Sequence, residues 1–115
     1  MSEVVGFVLE TGAILQLRHG ADKFIPLVVL DPMPEDSPTF RGARYDPVNR
    51  RCIAANDNYR PGECVHSGGK FVPEVILSML ARSDQTMPRK QRSLAETWLE
   101  EGKRRKPRTV SFEVV

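Results

Sequence analysis

Three prolines within eight residues, Asp31–Pro38 (DPMPEDSP), constrain this chain more than any other feature. Proline has no N–H and holds the residue before it out of the helical region, so this stretch can be neither helix nor sheet interior. It must be an extended loop, read as a rigid connector with a partner-binding loop as the alternative. Only about 30 residues precede it, too few for a domain of ordinary size, so the loop lies inside a single domain spanning residues 1–115.

Strand signals flank the loop. Glu3–Leu9 (EVVGFVL) is rich in β-branched and aromatic residues, and Thr11-Gly12 is a turn signal after which Ala13–Leu17 can return as a hairpin partner. Ile25–Leu30 (IPLVVL) is continuously apolar, as in a strand buried on both faces. Beyond the loop, Asp46-Pro47-Val48-Asn49 fits a type I turn joining Phe40–Tyr45 to Arg50–Ala55. Asn56–Gly69 is dense in turn formers, with a short strand at Cys64–His66.

The last third changes period. Pro73 suits the first turn of a helix ending near Arg82. Ser93-Leu94-Ala95-Glu96 has the form of a capping box for a second helix, with Pro88 as an alternative start. Leu94, Ala95, Trp98, Leu99 and Gly102 form an apolar stripe on it. Glu100 with Arg104 and Glu101 with Arg105 have favoured i,i+4 spacing. Pro107 stops the helix and Thr109–Val114 reads as a strand that closes the sheet. The expected architecture is α+β: a mostly antiparallel sheet of five or six strands, two helices from the C-terminal half packed on one face, and a final C-terminal strand.

Composition limits the classes of function. With 40% apolar and 28% charged residues the chain is globular, and IPLVVL is far too short to span a bilayer. No leader is expected at an N-terminus carrying Glu3, so a cytoplasmic location with reduced Cys52 and Cys64 is expected. Cys52, Cys64, His19 and His66 lack the two close pairs of a structural zinc site, and no metal or other cofactor is expected. Cys64–Phe71 (CVHSGGKF) fails a phosphate-binding loop motif at Cys64 and Phe71. No complete catalytic constellation is visible, and Cys64 with His66 is the residual enzymatic alternative.

Charge is the guide to a partner. From Pro88 onward there are eight Lys or Arg against four acids, whereas the preceding residues hold nine against eleven. Arg89, Lys90, Arg92, Lys103, Arg104, Arg105, Lys106 and Arg108 bracket the second helix, and the two helices have the outline of a helix-turn-helix. Arg41, Arg44, Arg50 and Arg51 make a second basic place, where the expected hairpin register sets Arg44 opposite Arg51. Alternatively, Asp46, Asp57 or Glu63 neutralises them internally. The leading expectation is a small, regulatory, bacterial-type binding protein, non-enzymatic, contacting nucleic acid through the basic helix. The alternative is a protein–protein adaptor or inhibitor using the same surface on an acidic partner.

Overall fold

The computed structural model describes the backbone of residues 3–114 and the side chains of residues 6–111. In chain order the elements are β1 (Glu3–Leu9), β2 (Ala13–Arg18), β3 (Phe24–Asp31), β4 (Phe40–Asp46), β5 (Arg51–Tyr59), β6 (Cys64–Lys70), α1 (Pro73–Ala81), α2 (Arg89–Lys103) and β7 (Arg108–Val114). A five-stranded antiparallel sheet has the order β5-β4-β3-β2-β6, and β1 pairs with β7 in a second, two-stranded sheet. The fold is α+β.

β3 is the central strand, and its alternation organises two cores. Val28 and Leu30 face the helices and meet Ile76, Met79, Leu80, Ala95, Trp98 and Leu99. Leu27 and Val29 point to the opposite side and meet Leu9, Leu15, Phe40 and Tyr59, with Phe7 and Val110 of the two-stranded sheet packed against them. All four β3 side chains are fully buried, so the unbroken apolar run was the correct signal for a strand covered on both faces.

The ends of the main sheet are forced towards each other. β5 and β6 are opposite edge strands, yet only Arg60–Glu63 connects them, and Pro61–Glu63 is a turn of 3-10 helix. Flat, five strands would separate those edges by about 19 Å, more than four residues with a 3-10 turn can reach. The sheet must therefore coil. Tyr59 at the end of β5 and Cys64 at the start of β6 accordingly lie in one buried cluster.

Several sequence expectations are corrected. Thr11-Gly12 does not make a β1–β2 hairpin. Gly12, at φ +92°, donates to the Val29 carbonyl, and its own carbonyl accepts from Phe71, so the pair forms a corner between the two sheets. β7 accordingly joins β1 and not the main sheet. The turn-rich stretch after Ala55 is strand through Tyr59, and β6 extends to Lys70. α2 begins at Arg89 with Pro88 at its N-cap, as in the alternative start, so Ser93 is interior and caps nothing; its carbonyl accepts from the Thr97 hydroxyl. Ala95, Trp98, Leu99 and Gly102 are buried, while Leu94 is half-exposed.

Gly102 brings α2 against β3. A Cβ there would stand 2.0 Å from the Leu30 carbonyl oxygen and 2.6 Å from Thr11 Oγ1. The helix end can approach the strand this closely only without a side chain. At the far edge, Thr86 Oγ1 and Gln91 Nε2 donate to the Cys52 and Ala55 carbonyls of β5 at 2.6 and 3.1 Å. These side chains occupy acceptors of an edge strand that a foreign strand would otherwise use.

Candidate protein-binding cleft at the end of the second helix

The twelve basic residues singled out in the sequence do not form one surface. α2 has fifteen residues, so Arg89, Lys90 and Arg92 lie about 20 Å from the cluster at its other end. That exceeds the roughly 8 Å over which salt screens charges at physiological strength. The exposed acids Glu96 and Glu100 lie between the two groups.

Much of the C-terminal cluster is turned to internal work. Asp31, the last residue of β3, is fully buried and gathers two of the arginines. Arg105 Nε donates to its Oδ1 at 2.8 Å, and Arg41 Nη1 stands 3.5 Å from its Oδ2. Arg41 also donates to Glu101 at 2.5 Å and lies over the Trp98 ring at 5.3 Å. Lys103 pairs with Glu100 at 3.1 Å. The ion pairs of Glu100 and Glu101 are thus with Lys103 and Arg41, and neither expected i,i+4 pair forms.

Arg108 is buried at the start of β7 and locks the proline-rich loop. Its two terminal nitrogens donate to the carbonyls of Pro32 (3.1 Å), Pro34 (2.6 Å) and Ser37 (2.8 Å). Prolines supply acceptors without competing donors, so a guanidinium fork suits this loop. Burial lowers the Arg108 pKa, with Glu35 and Asp36 acting in the opposite direction. Arginine nevertheless keeps its charge in proteins.

What remains at this end is a cleft of about 530 Å³ between the loop and the last turn of α2. Met33, Pro34 and Glu35 form one wall, Glu101 and Arg104–Pro107 the other, and Arg108 also lines it. Arg104 and Lys106 are exposed and make no ion pair among the described residues. The volume falls within the range of ordinary ligand clefts, and the mixed apolar and charged lining suits a peptide-like ligand.

The second basic place does not join this face. On β4, Arg41 points to the helix side, whereas Arg44 lies beside Tyr59 in the opposite core. Burial raises the Tyr59 pKa, and the Asn56 hydrogen bond and the Arg44 charge partly offset it. The expected Arg44–Arg51 opposition is replaced: Arg44 faces Ala54, and Arg51 faces Asp46. The loop is Pro47–Arg50, one residue later than expected, and a bulge between Arg44 and Tyr45 shifts the register. Asp46 fixes this loop by accepting from the Val48 and Asn49 N–H groups and from the Asn49 amide. Arg50, exposed at φ 54°, lies beside Tyr45, on the rim of a small cavity shared with Phe71 and Met79.

The other chemistries are set by burial and distance. Cys52 and Cys64 are both buried, and desolvation pushes each thiol up to about 12. At neutral pH neither is the thiolate that nucleophilic catalysis requires. His66 is exposed and stacks on Phe7 at 6.0 Å, with Cys64 turned into the core. No group of three or more His, Cys, Asp or Glu converges among the described residues, and none of their helices is long and apolar enough to cross a membrane.

Reading the sequence favoured a rigid connector over a partner-binding role for the loop, and so did not assign Asp31, Met33, Pro34 and Glu35 to this site. An acid directly after a fully buried strand was the available signal, since a carboxylate there needs a partner. Compared with protein-family models, curated proteins and solved structures, the chain matches none, so its residues alone carry the functional argument.

Proposed function

We propose that this chain is a small, non-enzymatic binding protein that meets an acidic partner protein through the cationic end of α2. The division of the basic residues carries this reading. Arg41, Arg105 and Arg108 are committed to Asp31, Glu101 and loop carbonyls, leaving Arg104 and Lys106 as the unpaired cations beside the cleft. Nucleic-acid affinity grows with the number of phosphates neutralised, and two or three cations give little counterion release. Two cations beside a cleft that also offers Met33, Pro34 and Pro107 match an acidic protein segment better, because a protein interface combines charge with apolar contact.

One observation favours nucleic acid as a second reading. Arg89, Lys90 and Arg92 sit at the N-terminus of α2, where no side chain caps the helix and no acid lies in the first turn. That arrangement adds positive charge to the positive end of the helix dipole, which an anion would relieve.

Fluorescence anisotropy with polyglutamate, single-stranded DNA and duplex DNA over a salt series separates the readings. The protein reading expects polyglutamate to bind most tightly at equal charge. Tighter binding to either oligonucleotide with a steep salt slope would reverse the order of the two readings.

A further inference from the structure

We infer that the cleft between the proline-rich loop and the last turn of α2 is a carboxylate-binding slot for an extended acidic segment of a partner protein, with Arg104 and Lys106 as its contact cations. The inference rests on the protein-binding reading above and gives it a location and a ligand chemistry.

Arg108 is the main argument. It is 8% exposed, its Nε has no partner, and no carboxylate among the described residues lies within ion-pair distance. Buried charges are ordinarily paired with an opposite charge. The three loop carbonyls satisfy its hydrogen bonds, and Glu35 and Asp36 offset its charge only in part, from beyond ion-pair distance. Because Arg108 lines the cleft, its field extends into a space screened less than open water. Arg104 and Lys106 on the opposite wall add to that field.

The loop wall is already formed. Met33 adopts φ 65°, held by its N–H bond to Asp31 Oδ1 at 2.9 Å. A left-handed conformation is unfavourable for a non-glycine residue and persists where surrounding contacts enforce it. Here the Asp31 bond and the Arg108 fork supply that enforcement, so an incoming chain meets a preorganised wall.

The lining also distinguishes a peptide from a uniform polyanion. Met33, Pro34 and Pro107 offer apolar surface to a peptide's backbone and side-chain stems. Glu101 on one wall is neutralised by Arg41, but Glu35 on the other has no ion pair among the described residues and would repel a phosphate at every step of a nucleic-acid strand. A peptide whose acids are spaced can put a neutral residue opposite Glu35.

The test is anisotropy of a fluorescein-labelled alternating Glu-Ala decapeptide at low salt against four proteins: wild type, R104E/K106E, R89E/K90E and E35Q. All the substituted side chains are exposed. The slot predicts about tenfold or greater loss for R104E/K106E, since reversing charges at an interface is repulsive. It predicts wild-type affinity for R89E/K90E, and about threefold tighter binding for E35Q, a gain that misfolding cannot imitate. Unchanged peptide affinity in R104E/K106E overturns the slot while leaving an acidic protein partner in place. Absence of peptide binding to wild type overturns both. An oligonucleotide whose binding is lost in R104E/K106E, without peptide binding, assigns the cleft to nucleic acid instead.

Discussion

Replacing Gly102 by alanine sets two effects of opposite sign against each other. In an exposed helix interior, glycine to alanine stabilises by about 1 kcal/mol. Here the new Cβ would lie 2.0 Å from the Leu30 carbonyl oxygen, 2.6 Å from Thr11 Oγ1 and 2.8 Å from the Asp31 Cα. Two of those atoms are backbone, so rotating a side chain relieves nothing. The end of α2 must move away from β3 by more than 1 Å to restore ordinary contact distances of about 3.5 Å. Overpacking of this kind costs about 1–3 kcal/mol and occasionally more. The shift also strains the Thr11–Leu30 hydrogen bond of 3.0 Å and the Arg105–Asp31 pair, adding about 1 kcal/mol. The net expectation for Gly102→Ala is a loss of about 1–3 kcal/mol, or roughly 4–12 °C in Tm for a domain of this size. Urea unfolding followed by circular dichroism, with thermal melts in parallel, measures it. A variant as stable as the wild type, or more stable, would refute the close approach of α2 to β3 and with it the geometry of the cleft.

Two other perturbations probe the same structure. Asp31→Asn removes the charge that Arg105 and Arg41 share, and losing one partner of a buried pair costs about 3–5 kcal/mol. The arginines are partly exposed, so the expected loss is about 2–3 kcal/mol after solvent screening, read as a lower urea midpoint at unchanged slope. The thiols give a pH dependence. Each is raised from 9.0 to about 12 by burial, with Glu63 adding to the effect at Cys64. The folded state therefore holds these protons more tightly than the unfolded chain, so their contribution is intact below pH 9 and is lost as the pH rises from 9 towards 12. The decline is about 1.4 kcal/mol per pH unit for each thiol. Correspondingly, alkylation of either cysteine at pH 7.5 should proceed only through unfolding, and rapid labelling of the native protein would contradict their burial.

Elements whose local pattern and tertiary role agree were legible in the sequence. Within Ile25–Leu30, Leu27–Leu30 is buried on both faces, and Pro73 and Pro107 bound the helical region as proline should. What failed depended on distant partners. Thr11-Gly12 does make a tight turn, closed by the Ala13 N–H on the Glu10 carbonyl, but Gly12 bonds Val29 and Phe71, far away in sequence, and not a β1–β2 ladder. Ser93 satisfies a capping pattern, yet α2 starts four residues earlier and Gln91 ties its first turn to Ala55. The Arg44–Arg51 opposition failed because a one-residue loop shift and a bulge alter which residues face each other. For the site, the concentration of charge was visible, but its use was not. Sequence cannot separate Arg108, buried on loop carbonyls, from Lys106, two residues away and exposed.

The most direct measurement of the central claim is an amide chemical-shift map of the protein titrated with the alternating Glu-Ala peptide. An acidic segment in the slot shifts Met33, Glu35 and the Arg104–Lys106 amides together, in fast exchange and reversibly with salt, and leaves Arg89, Lys90 and Arg44 unmoved. Shifts concentrated at the N-terminus of α2 or around Arg44, with the loop and the end of α2 silent, would contradict it.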